Sequence, residues 1–472
     1  MIAIFVHGWS VQHTNTYGAL PAWLQGKPGP DGKPIQVADI YLGKYISFDD
    51  AITVDDIARA FEQAIRDEIG ARLGAQERLA CITHSTGGPV IRAWMDLYWK
   101  GRLAKCPLSH LVMLAPANHG SALAQLGKGR LGRIKSFVVD QAEPGERVLD
   151  WLELGSELSW KLNSSWLDYD CVAAGHFPFV LTGQRIDRNL YDALNSYTDE
   201  EGSDGVVRVA AANLNYGFLR VRQSDKGLEK EHSARTRSSA FGVLPGRSHS
   251  GEDMGIIRSV AARNAASHPT AQWVLRCLTV ASAAAYGKLA KELEALTAKT
   301  QEDEAVDRAG RIFRRTYRTS RYSMIVFRVV DDRGELLSDY DLFLTAGPRY
   351  SEDDLPPGFF VDRQRNRRHP GRLTYYVDHD VLHDGLQKAK TEGKLGFRLV
   401  ARPEGKPGER LAFYERLELR STFADLAEVL RPNETTMIEL VLRRRVDRTV
   451  FRIESTLTPS KIDATPSGKL VT

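Results

Sequence analysis

At 472 residues the chain is about three times a common domain length, so two or three domains are expected. Hydrophobic residues make up 42% and charged residues 26%, which excludes a disordered or fibrous chain and leaves enough apolar material for large cores. The net charge of +4 is too small to argue for nucleic acid, although a mild positive excess suits an anionic lipid surface. Cys81, Cys106, Cys171 and Cys277 lie far apart in apolar settings without C-x-x-C spacing, so they read as buried free thiols with no metal role.

The opening stretch "MIAIFVHGW" lacks a basic start and a small-residue cleavage site, and it reads as a buried strand rather than a signal peptide. Helical spacing with Asp near the start and Gly at the end marks "VDDIARAFEQAIRDEIGARLG" (54–74) as amphipathic. Strand and helix then alternate through "RLACITHS", "GPVIRAWMDLYWKG", "LSHLVMLAPA" and "FPFVLTG", the pattern of a parallel sheet covered on both faces. No run approaches the length of a transmembrane helix.

Between residues 121 and 170 the rhythm breaks. "ERVLDWLELGSELSWKLNSSWL" is helical and rich in Trp and Leu, and it reads as an inserted cap. A cap must lay its apolar face on something. The mouth of a pocket at the top of the sheet is the expected place, which makes Trp151 and Trp160 candidate substrate contacts beside a plain packing role. An alanine- and charge-rich helical connector is expected over 281–320, and it ends in the basic "RAGRIFRRTYRTSRY", a solvated face or a contact for anionic lipid. Short β patterns separated by turns over 321–452 predict an antiparallel β-sandwich-like domain, and 453–472 read as a loose tail.

Chemistry concentrates at "CITHSTGG". A serine at a sharp strand-to-helix turn projects its oxygen above the sheet, and the following helix aims free N–H groups at the same place. Small neighbours are required there, and Gly87 and Gly88 supply them, while Thr83 stands where G-x-S-x-G has its first glycine. "VHGWS" after the first strand and "THSTGG" after a later one together resemble the α/β-hydrolase superfamily, and within it the lipase branch, over roughly the first 280 residues. "LVMLAPANHGSALA" extends the likeness, with Pro116, Gly120 and Ser121 leading toward the cap.

The resemblance implies Ser85 as nucleophile, with backbone N–H groups of Trp9 and Thr86 forming the oxyanion hole. It also implies the chain order Ser, acid, His. In that order His249, in a Gly/Ser-rich loop after a strand, is the best base, ahead of His232 in a charged stretch. Asp204, in "SDGVV", resembles the Asp-Gly-x-Val stretch of bacterial lipases and is the expected acid, with Asp187 as rival. No phosphate loop and no metal motif appears, so no cofactor and no metal is expected.

The expected activity is that of a serine lipase or phospholipase working through an acyl-enzyme on a lipid or membrane substrate. The alternative is an inactive hydrolase-fold adaptor whose β domain binds a partner or a membrane. The domain order without a signal peptide also resembles bacterial type VI secretion lipase effectors. That likeness implies an immunity or secretion-apparatus partner, a cytoplasmic origin and a periplasmic place of action.

Overall fold

The computed structural model describes residues 1–7, 15–47, 49–72, 78–126, 145–187, 200–309, 321–387, 392–406, 412–427, 430–446, 452–453 and 469–470. Six parallel strands form the first sheet, in the order β2-β1-β3-β4-β5-β8. They are β1 (Ile2–His7), β2 (Gln36–Tyr41), β3 (Leu79–His84), β4 (Leu108–Leu114), β5 (Phe177–Thr182) and β8 (Ala240–Val243). The apolar runs of the inner strands β1, β3 and β5 follow from cover on both faces, whereas the edge strand β2 is only partly buried. Along β1, Ile2, Ile4 and Val6 enter one core with α2 (Val54–Ala64) and α3 (Gly87–Trp99). Ala3 and Phe5 point the other way, into a core with α1 (Leu20–Leu24), α7 (Pro269–Leu278) and α8 (Ala283–Ala309). The helix α2 starts on a capping box, Thr53 Oγ1 accepting from Asp56 N at 3.2 Å while Asp56 accepts from Thr53 N at 3.1 Å.

The expected connector helix α8 packs on this sheet. Tyr286, Leu289 and Leu293 are buried in the second core, and Thr297 Oγ1 accepts from Val243 N at 2.9 Å.

A second six-stranded sheet stands beside the first, in the order β11-β12-β9-β16-β6-β7. Its members are β6 (Tyr216–Ser224), β7 (Gly227–Arg235), β9 (Tyr322–Asp331), β11 (Phe360–Arg365), β12 (Arg372–Asp378) and β16 (Thr435–Leu442). A third, antiparallel sheet of β10 (Tyr340–Ala346), β13 (Lys394–Ala401) and β15 (Leu417–Thr422) faces it, and two short strands, β14 (Ala412–Phe413) and β17 (Arg445–Val446), pair separately. The second sheet is mixed rather than antiparallel, because β16 runs parallel to both β6 and β9.

The expected division near residue 280 therefore does not follow the sheets, since the hairpin β6–β7 belongs to the second one. Period-two alternation divides that sheet between two cores. Tyr216, Phe218, Tyr322, Met324, Val326, Tyr376 and Met437 join the α2–α3 core of the first sheet. Their neighbours Leu219, Ile325, Phe327, Tyr375 and Ile438 join Leu342, Phe397 and Leu399 of the third.

The cap helices α4 (Glu146–Leu152) and α5 (Glu157–Trp166) lie between the first two sheets. The turn between β11 and β12 fastens them. Arg367 N donates to Glu153 Oε1 at 2.7 Å, Asn366 Nδ2 donates to Leu154 O at 3.1 Å, and Arg368 pairs with Asp150 at 2.7 Å.

Candidate active site

Strand β3 ends at His84 and α3 starts at Gly87, so two residues make the whole turn. Ser85 takes φ +53°, a left-handed conformation costly for a residue with a side chain. Its N–H donates to Leu114 O at 3.0 Å and its carbonyl accepts from Gly88 N at 3.3 Å, which pins the bend to the neighbouring strand and the new helix. A Cβ on Gly88 would lie 2.8 Å from Pro116 Cβ. One on Gly87 would lie 3.1 Å from Thr83 Cβ, so the threonine is accommodated because its partner across the turn has no side chain.

Three loops meet above the sheet. Ser85 Oγ is 3.1 Å from His249 Nε2, and His249 Nδ1 is 2.9 Å from Asp204 Oδ2. The other oxygen of Asp204 accepts from Val206 N at 3.0 Å and Val207 N at 2.7 Å, and its carbonyl accepts from His249 N at 3.0 Å. Gly205, at φ +96°, lets the chain fold back so that these amides reach the carboxylate. With Asp204 accepting at Nδ1, the imidazole carries its proton there and offers Nε2 as acceptor to the serine hydroxyl. Asp204 is fully buried and His249 is 4% exposed, so the pair interacts away from solvent.

Asp187 lies beside the loop of His249 and, among the described residues, makes no hydrogen bond to the histidine ring. Its carboxylate faces Gly251, where a Cβ would come within 2.8 Å of Oδ2, and the Nδ1 position of His249 is taken by Asp204. His232 sits on the exposed hairpin strand β7, opposite Arg220.

Thr86 precedes the first turn of α3, and among the described residues its N–H makes no backbone hydrogen bond. Its amide lies at the positive N-terminal end of α3, next to Ser85. Trp9, the expected second donor, lies outside the described residues. Trp151 and Trp160, expected at the substrate, are 2% and 8% exposed within the hydrophobic core. Trp160 lies edge-on to Phe218 at 6.2 Å, with the Arg372 guanidinium 4.9 Å from its ring centroid. Trp160 thus packs the cap against the second sheet, and Trp151 is buried in the same core.

His84 belongs to no catalytic motif, and its place next to the serine in the chain is the one local sign of its position. Its ring centroid is 4.6 Å from that of His249, and its Nε2 is 3.2 Å from the His249 carbonyl. Desolvation, with His249 adding to it, pushes its pKa well below the ordinary value, so the ring is neutral and donates to that carbonyl. Behind the turn, Asn118 accepts from Arg92 at 3.2 Å and donates to Ala212 O at 2.7 Å, tying α3 to the short helix α6 (Val209–Ala212) that follows the acid loop.

A parallel sheet with this serine, histidine and aspartate on loops at its C-terminal edge defines an α/β-hydrolase of the carboxylic ester hydrolase class. No protein-family model and no curated protein sequence matches the chain. Among solved structures, phospholipase PlaB from Legionella pneumophila is 60% identical over 100% of this chain and 99% of that one, with a TM-score of 0.90. PlaB in complex with thio-NAD is 58% identical over 100% of both chains, with a TM-score of 0.89. The chain belongs to the PlaB phospholipase family and is an ester hydrolase acting on lipid esters.

Proposed function

We propose that this protein is a phospholipase that cleaves a carboxylic ester of a membrane phospholipid through an acyl-enzyme, with Ser85 as nucleophile, His249 as base and Asp204 as orienting acid. The observation that carries the reading is the continuous relay from Ser85 Oγ through His249 to Asp204, at 3.1 Å and 2.9 Å. The whole-length likeness to a phospholipase supports the substrate class.

Ser85 Oγ attacks the ester carbonyl as His249 Nε2 takes its proton. Asp204 stabilises the imidazolium, which then protonates the departing alcohol. Water, activated by the same histidine, releases the fatty acid. The Thr86 N–H, with Trp9 as its assigned partner, holds the oxyanion. Each such donor contributes about 3 kcal/mol of barrier lowering.

Phospholipid vesicles incubated with wild type and Ser85→Ala test the reading by mass spectrometry of free fatty acid. Release is expected only with wild type. Equal release by the variant, or none by either protein, overturns it.

Two narrower proposals accompany this one. The thio-NAD bound by the relative suggests that a nicotinamide dinucleotide binds this chain as a ligand, since ester hydrolysis has no redox step. Calorimetric titration with NAD tests that. An immunity or secretion-apparatus partner and periplasmic action are tested by targeting the chain to the periplasm of a sensitive bacterium, where growth arrest dependent on Ser85 is expected.

A further inference from the structure

The loop that carries Asp204 is gripped from outside the parallel sheet. Ser203 and Arg208 form an isolated antiparallel bridge that closes the turn holding Asp204, Gly205, Val206 and Val207. Arg208 is 1% exposed, and its fork binds Glu200 through Nε at 2.8 Å and Nη2 at 2.6 Å. The same Nη2 donates to Asp362 on β11. The guanidinium lies 4.2 Å from the ring centroid of Tyr376 on β12. The Tyr376 hydroxyl in turn donates to Glu201 O at 3.0 Å and Gly202 O at 3.2 Å. Beside it, stacked at 5.2 Å, Tyr322 on β9 donates its hydroxyl to the Glu201 carboxylate at 2.7 Å. Gly202 has φ +71°, and a Cβ there would fall 2.3 Å from Tyr322 Cδ2 and 2.5 Å from the Tyr376 oxygen.

We infer that Tyr376, Asp362 and Arg208 are positioning residues that set Asp204 against His249, so that the second sheet is a working part of the catalytic centre. The inference rests on the triad assigned above. Both tyrosines lie on the face of the second sheet that joins the hydrolase core, and both address the two residues preceding the Ser203–Arg208 bridge. The backbone amides of Val206 and Val207 that bind the carboxylate lie inside the closed turn, so a shift of Arg208 or Gly202 moves them with Asp204. A buried cation is a costly way to fill space, because well-packed apolar residues do so without desolvating a charge. Burial alone would lower the Arg208 pKa, but Glu200 and Asp362 outweigh it and keep the guanidinium charged. A fork fixed by two carboxylates and one aromatic face holds the loop in one register, which an apolar plug would not do.

The test is kcat and KM on a fluorogenic short-chain ester for Tyr376→Phe, Arg208→Lys and Arg208→Met, each in the wild-type and the Asp204→Ala background. An ångström of misplacement costs on the order of 100-fold. Arg208→Met is therefore expected to lower kcat by about that factor, and Tyr376→Phe by about 10-fold, with KM within about 2-fold. Arg208→Lys should fall between them. In the Asp204→Ala background each change should cost less than about 2-fold, because a residue acting through Asp204 has nothing left to position. Should Arg208→Met fail to fold, Tyr376→Phe carries the test, since it removes one hydroxyl and keeps the ring. Full kcat in Tyr376→Phe and Arg208→Lys, or equal losses in both backgrounds, overturns the inference. If that happens while Ser85→Ala abolishes turnover and Asp204→Ala lowers it to a small, measurable residue, the triad stands and only the grip is lost. An active Ser85→Ala removes the triad itself.

Discussion

The parallel sheet and the mixed sheet are both covered on two faces, yet they are assembled differently. In the parallel sheet β2 is followed by α2 and β3 by α3, both packed into the core on one of its faces, and Ser85 sits just past the end of β3. In the mixed sheet the central strand β16, at residues 435–442, lies between β9 and the hairpin strand β6 that begins at residue 216. One sheet carries the chemistry. The other joins two cores and contacts both the Asp204 loop and the cap. A chain divided by composition at the α8 helix therefore cuts through a shared wall rather than between two independent bodies.

The largest effect expected lies in the parallel sheet. His249→Ala and Ser85→Ala should each lower turnover of a p-nitrophenyl ester by about 10⁶-fold, and the double variant little further, because the triad acts as a unit. Losses that multiply would break the assignment. Next comes removal of the shared wall. Ending the chain at residue 309 strips Tyr216 and Phe218 of their partners Met324, Val326 and Met437. The fragment is expected to aggregate and to lose even short-ester turnover, as size-exclusion chromatography and an activity assay would register. A soluble, active fragment would restore the picture of two separate domains.

A smaller effect sharpens the role of the cap. Trp160→Ala should destabilise the protein by about 3–5 kcal/mol in denaturant titration, the range for deleting a buried aromatic ring. Its ratio of long-chain to short-chain turnover should stay near that of wild type. A changed ratio with unchanged stability would return Trp160 to the substrate.

The smallest effect concerns acid. Burial pushes the pKa of His110 down to about 4, and burial together with Arg247 does the same for His268. The unfolded chain, with histidines near 6.5, takes up protons first as the pH falls. Stability is thus complete above about pH 6.5 and declines toward pH 4, by up to about 1.4 kcal/mol per pH unit for each buried histidine. Melting curves across that range should show the decline, and His110→Gln should make it shallower.

The elements readable from the sequence are those whose signal is local. Continuous apolar runs marked β1, β3, β4 and β5, and the glycines after Ser85 marked the turn. Asp204 stood out by its likeness to the Asp-Gly-x-Val stretch of lipases, and His249 by the Ser, acid, His order together with the Gly/Ser-rich loop that follows a strand. Strand partnership is not written that way. Nothing within 216–235 tells that β6 pairs with β16, because both faces of β6 meet partners from far along the chain. The same distance hid the tie from Tyr376 to Gly202. It also hid the seat of Trp160, whose apolar ring fits a pocket mouth and a packed interface equally well by composition.

The most direct test of the central claim is mass-spectrometric mapping of a fluorophosphonate probe on the intact protein. The account predicts one modified residue, Ser85, at a labelling rate that collapses in His249→Ala and Asp204→Ala while both variants keep the wild-type circular dichroism spectrum. Labelling at another serine, or undiminished labelling of Ser85 in His249→Ala, would contradict it.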